Sequence, residues 1–229
     1  MKPEFNPIDF PPFTGFPKEG VKFLTGLKKN NNKEWFEAHR SDFESYIKQP
    51  MMEFIAAMAR EFSAWAPEIT ANPKRSMFRI YRDVRFSADK SPYKTHAAAS
   101  FHYGDKAKSM AGFYIHISPK DCYMGGGIWM PPNDYLRKIR EKIAGNYKEF
   151  SAIVKKKDFV ALGGLDMTES LKTMPRGFEP EHPGATYLKL KSFVAGTSIT
   201  PEIAASKNLV QAAVKTYKTL LPLIRFLSE

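Results

Sequence analysis

Apolar and aromatic side chains recur at helical spacing through Val21, Phe23, Leu24 and Leu27, stop at Asn30-Asn31-Asn32, and resume at Trp35, Phe36, His39, Phe43, Tyr46 and Ile47. Intervals of three and four place such side chains on one face of a helix, so the pattern predicts one helix from Pro17 and a second from an Asn32 cap to about Gln49. Pro50 is expected to kink or restart that helix. Residues 51–65 then carry Phe54, Ile55, Met58 and Phe62 on one side until Pro67 ends the run.

The period shortens at Ser76. Residues 78–86 alternate broadly, as a strand does, and residues 96–103, 111–118 and 122–128 read as further strands. The last two are joined by Pro119-Lys120-Asp121, which has the residue types of a tight hairpin turn. Helical spacing returns after Pro131-Pro132: Asn133 or Asp134 can cap a helix through Ala144, and another follows Gly145-Asn146 to Lys157. Residues 159–198 read as short strands or loops. A last helix spans residues 201–226 with Leu209, Ala213, Tyr217, Leu220 and Leu221 on its apolar side. Strands gathered in the middle, without regular βα alternation, define an α+β class: a central antiparallel sheet flanked by N-terminal, middle and C-terminal helices.

A chain of 229 residues fits a single domain over residues 1–229. Its first 16 residues hold Pro3, Pro7, Pro11 and Pro12 among Phe5, Phe10, Phe13 and Phe16, and are expected to form an extended arm packed on that domain. Cys122 is the sole cysteine, which excludes an intramolecular disulfide and any multi-cysteine metal site and makes the cytoplasm the default address. No apolar run approaches the ~20 residues of a membrane span, and the N-terminus lacks the apolar stretch of a secretory signal. No partnership with a membrane is expected.

The formal net charge of +11 favours polyanions or phosphorylated small molecules, yet equally suits a soluble surface rich in lysine. Charge is densest in one segment, where Arg79, Arg82, Asp83, Arg85, Asp89, Lys90 and Lys94 fall within 16 residues. A regular strand over residues 78–86 would put Arg82 in the apolar row of Phe78, Ile80, Val84 and Phe86. A guanidinium there needs a partner, and Asp89 is the nominated one. On the opposite face Arg79 and Arg85 bracket Asp83, a grouping that can cradle a phosphate or carboxylate because guanidinium offers a planar fork of donors. The competing explanation is a purely structural ion-pair network.

The string from Arg79 to Lys94, Arg-Ile-Tyr-Arg-Asp-Val-Arg-Phe-Ser-Ala-Asp-Lys-Ser-Pro-Tyr-Lys, resembles the hallmark of the family called domain of unknown function 2461. Phe13-Thr14-Gly15-Phe16, Asn32-Lys33-Glu34-Trp35-Phe36, Gly125-Gly126-Gly127, Met174-Pro175-Arg176-Gly177-Phe178, His182-Pro183 and Lys191-Ser192-Phe193 are similar to it as well. The resemblance implies one family-sized domain and draws attention to Arg176 and His182 as residues of a loop that closes over the same cleft. It brings no activity, cofactor or catalytic residue with it.

His39, His96, His102, His116 and His182 lack metal-ligand spacing, so no metal is expected. With neither a Gly-x-Gly-x-x-Gly nor a Walker sequence, no cofactor is expected either. His116 shares a strand face with Tyr114 and Ser118 and is a candidate acid or base, as is Asp83, against the plainer alternative of a hydrogen-bonded sheet histidine. Cys122 reads as a small buried hydrophobe. The leading functional reading is an anion-recognising domain for a phosphorylated or carboxylated small molecule, bound by Arg79, Arg82, Arg85, Asp89, Lys90, Lys94, Arg176 and His182. Two others stand beside it. One is sequence-tolerant nucleic-acid binding through the basic run Arg137, Lys138, Arg140, Lys142, Lys148, Lys155, Lys156 and Lys157; the other is an interaction protein without chemistry of its own.

Overall fold

The computed structural model describes residues 6–104 and 109–228. Five strands, β1 (Ile69–Thr70), β2 (Ala97–Tyr103), β3 (Gly112–Ile117), β4 (Cys122–Ile128) and β5 (Phe193–Ile199), form one antiparallel sheet in sequence order. Helices flank it, so the class is α+β, as the sequence pattern predicts. No helix among the described residues is long and apolar enough to cross a membrane.

The chain forms two compact units. The first uses residues up to Phe101 together with Tyr114–Met124 and Ser198–Val214; the second uses His102–Phe113, Gly125–Thr197 and the residues from Lys215 onward.

In the first unit, α1 (Lys18–Lys29) is followed by α2 (Lys33–Ala38), α3 (Arg40–Phe43) and α4 (Gln49–Trp65). Asn32 caps α2 as expected, its side chain accepting from the Trp35 N–H at 2.9 Å. The helix predicted to Gln49 is interrupted at His39, and residues 44–48 widen into a π turn in which the Gln49 N–H reaches back to the Glu44 carbonyl. Pro50 explains the location, since it has no N–H to give the Tyr46 carbonyl. Pro50 stands in the first turn of α4, which begins at Gln49, so the helix restarts there as expected. Gly20 of α1 packs against that same carbonyl, where a Cβ would come within 2.6 Å of the oxygen. Phe54 and Phe62 of α4 meet Phe101 of β2 at ring separations of 6.4 and 5.2 Å, which fixes the helix on one face of the sheet. The arm's Phe13 packs edge-on against Phe54 at 5.4 Å, and residues 7–9 make a single tight helical turn. Pro3 and Phe5 lie outside the described residues.

In the second unit, α6 (Asn133–Gly145), α7 (Tyr147–Val154), α8 (Lys157–Ala161) and α9 (Ala185–Leu188) precede β5, and α5 (Pro73–Ser76) and α10 (Pro201–Ala204) belong to the first. The predicted final helix is broken after Ala204 and resumes as α11 (Asn208–Ser228), with Pro222 inside it. Its Tyr217 stacks on Phe113 at 4.4 Å, and Phe226 meets Phe150 at 5.3 Å.

Candidate functional site

Residues 78–86 are not a regular strand. Met77 bridges Ala99 and Tyr81 bridges Tyr93, both antiparallel, and the Arg82 and Lys94 N–H groups donate to the Pro92 and Ile80 carbonyls at 2.8 Å each. The segment is therefore one arm of a loose hairpin whose other arm leads into β2, with residues 83–91 as its tip. Local polar chemistry competes with strand pairing there: Asp83 accepts from the Arg85 N–H at 3.3 Å and Asp89 from the Ser91 N–H at 2.9 Å, while Pro92 has no donor. Phe86, assigned by alternation to the row of buried Ile80, is 96% exposed.

The tip holds its own charges. Arg82 pairs with Asp89, with 27% of the arginine side chain still exposed. Arg85 grips Asp83 with two parallel bonds of 3.0 and 2.7 Å, and Lys90 donates to the Val84 carbonyl at 3.0 Å. The Ser91 hydroxyl and Arg82 hold the Asp89 carboxyl far below its ordinary value, and Arg85 lowers that of Asp83.

At the base of the hairpin the arrangement differs. The exposed Arg79 guanidinium has no carboxylate partner among the described residues. Lys94 Nζ donates to the Arg79 carbonyl at 2.9 Å and lies 5.3 Å above the Phe78 ring. Burial and then the Arg79 charge pull the lysine below its usual value. Phe78 in turn meets Tyr114 edge-on at 6.2 Å.

Tyr114 belongs to a polar cluster on the sheet face opposite α4. Phe113, Ile115 and Ile117 are buried, so Tyr114 and His116 project the other way. His116 lies 5.6 Å from Tyr114, 6.0 Å from Tyr123 of β4 in a near-parallel stack, and 5.6 Å from His96 just before β2. Its Nε2 bonds the Asp121 carbonyl. A carbonyl only accepts, so Nε2 carries the proton and Nδ1 of the neutral ring carries none. Neither nitrogen of His96 has a hydrogen-bond partner among the described residues. Burial, His116 and Lys94 all lower His96, while Asp121 opposes them. Burial also raises Tyr114, and the Ser118 hydroxyl is the main cause that lowers Asp121.

The sequence-predicted residues thus divide. Lys94 stands beside the histidine cluster, and Arg79 adjoins Lys94 on one side and Asp83 on the other, whereas Arg82, Asp83, Arg85, Asp89 and Lys90 bond one another or the backbone at the tip. Arg176 and His182 belong to the second unit, where Arg176 is exposed and His182 accepts from the Gly184 N–H at 2.9 Å and donates to the Ala144 carbonyl at 3.2 Å. His96 and Tyr123 were not legible as site residues, because only cross-strand pairing brings them to His116.

The basic run is not one solvated face. Arg140 is buried and donates to the Leu190 carbonyl at 2.9 Å, Arg137 pairs with Glu141 at 2.8 Å, and Lys142 lies 4.7 Å above Phe226. Gly126 and Gly127 serve close packing: a Cβ would meet Phe113 at 2.8 Å and the Phe193 carbonyl oxygen at 1.9 Å respectively. Cys122 is buried and its thiol is pushed up by burial. No group of three or more metal-ligating side chains gathers among the described residues.

A helix-flanked antiparallel sheet with a charged hairpin and a half-buried imidazole pair on one face defines the class of protein. The chain belongs to the family described as a conserved hypothetical protein (DUF2461), whose match spans residues 19–226. Neither a curated protein nor a solved structure is significantly similar to it.

Proposed function

We propose that this protein recognises a phosphorylated or carboxylated small molecule at the base of the hairpin. Arg79 and Lys94 supply the anion contacts there, and the His96–His116 face forms the floor. The observation that carries the reading is Arg79: among the described residues no carboxylate bonds it, Asp83 acting on it only at longer range, beside a lysine already destabilised as a cation by burial and by Arg79 itself. Such a pair gains from an arriving anion, which offsets both costs. Arg82, Arg85 and Lys90 hold the tip in shape through Asp89, Asp83 and the Val84 carbonyl and add positive potential at longer range.

Calorimetric titration with sulfate, inorganic phosphate and acetate tests this. Saturable one-site binding by the wild type is expected, lost in Arg79→Ala and Lys94→Ala and retained in Arg85→Ala. If folded Arg79→Ala and Lys94→Ala proteins bind every anion as the wild type does, the reading fails.

A further inference from the structure

We infer that this site takes up its anion together with a proton, held by the His96–His116 pair, and that it therefore selects doubly charged groups such as a phosphate monoester over carboxylates. The inference rests on the anion-binding reading above and deepens it.

The geometry places two imidazoles on neighbouring strands with ring centroids 5.6 Å apart. His116 is oriented by its bond to the Asp121 carbonyl, which leaves Nδ1 as its basic atom. His96 retains two nitrogens without hydrogen-bond partners among the described residues. The charged and titratable groups facing His96 are Lys94 preceding its own strand, His116 on β3, and Asp121 at the β3–β4 turn; Tyr114 and Tyr123 adjoin His116. Burial opposes a charge on His96 most, a charge on His116 and that of Lys94 oppose it too, and Asp121 alone favours it.

A monoanion at Arg79 and Lys94 leaves one of those cations uncompensated. A dianion neutralises both, removing the Lys94 repulsion that adds to burial in disfavouring a charge on His96 and adding an attraction for its imidazolium. By linkage, a proton gained on binding makes the apparent dissociation constant rise as pH rises, by up to tenfold per pH unit. The window opens above the imidazole value of the empty site and closes at that of the occupied one.

Sulfate is the probe of choice because it stays a dianion across the neutral range, so any proton taken up belongs to the protein. Its binding would be measured by calorimetry at pH 7 in two buffers of different ionisation enthalpy, with acetate as the monoanion and His96→Gln as the variant. Sulfate is expected to bind more tightly than acetate with net proton uptake, and His96→Gln is expected to bind sulfate more weakly and without uptake. The imidazole Hε1 resonances of the wild type provide a readout that needs no variant to fold: saturating sulfate should move the His96 titration to higher pH. Sulfate binding without proton uptake or a His96 shift overturns this inference and leaves the anion-binding reading standing. Acetate binding as tightly as sulfate overturns the selectivity for doubly charged groups. Failure of the folded wild type to bind any of these anions overturns both.

Discussion

Asn31 and Tyr93 clasp each other as two strand residues would: Asn31 Nδ2 donates to the Tyr93 carbonyl at 2.9 Å, and the Tyr93 N–H donates to Asn31 Oδ1 at 3.0 Å. Tyr93 is buried and its ring stacks on Phe36 at 4.2 Å, so this side chain moors the charged hairpin to the helices. Asn31→Ala leaves both backbone groups of Tyr93 unsatisfied and is expected to cost about 1–3 kcal/mol in urea unfolding. Asn31→Asp keeps the acceptor and should lose less.

Asp89 links stability to pH. Its carboxyl is depressed in the folded state by Ser91 and Arg82, so its stabilising contribution is complete above the ordinary aspartate value of about 4 and fades as pH falls through the depressed one. The stability difference between wild type and Asp89→Asn should shrink between pH 5 and pH 2, and at neutral pH it should shrink with added salt. A difference that grows on acidification would contradict the pairing.

Gly127 has φ of 138° and sits so close to the Phe193 carbonyl that any side chain must displace backbone. Gly127→Ala is expected to destabilise by about 1–3 kcal/mol. Gly145, with open space around it, supplies the control, and its alanine variant should melt no lower than the wild type.

The Cys122 thiol donates to the Ser118 carbonyl at 3.2 Å and is buried, and burial raises it above its ordinary value. Iodoacetamide should therefore modify it in denaturant and spare it in the native protein. Rapid labelling of the native chain would show that the β3–β4 hairpin opens.

Strands β2, β3 and β4 were legible because alternation and the Pro119-Lys120-Asp121 turn agree there, and residues 122–128 were placed with their observed bounds. Residues 78–86 alternate just as visibly, yet hydrogen bonding by Asp83 and Asp89 to nearby N–H groups draws the chain out of a ladder that alternation alone cannot rule out. The nominated Arg82–Asp89 pair did form, since a seven-residue separation across a tight tip brings the two together. His96 is hidden for a different reason. Spacing along the chain detects ligands on one helix or loop, whereas His96 and His116 meet only through the pairing of β2 with β3.

That pairing has a consequence for how the site comes into being. A slip of a single residue between β2 and β3 would invert which side chains face outward, sending His116 toward the apolar interior and Ile115 or Ile117 into its place. No partly formed version of the imidazole pair can exist in a misaligned sheet. The lowering of His96 by burial and by His116 would therefore appear only once those two strands have locked, which makes its titration a reporter of correct folding as much as of ligand.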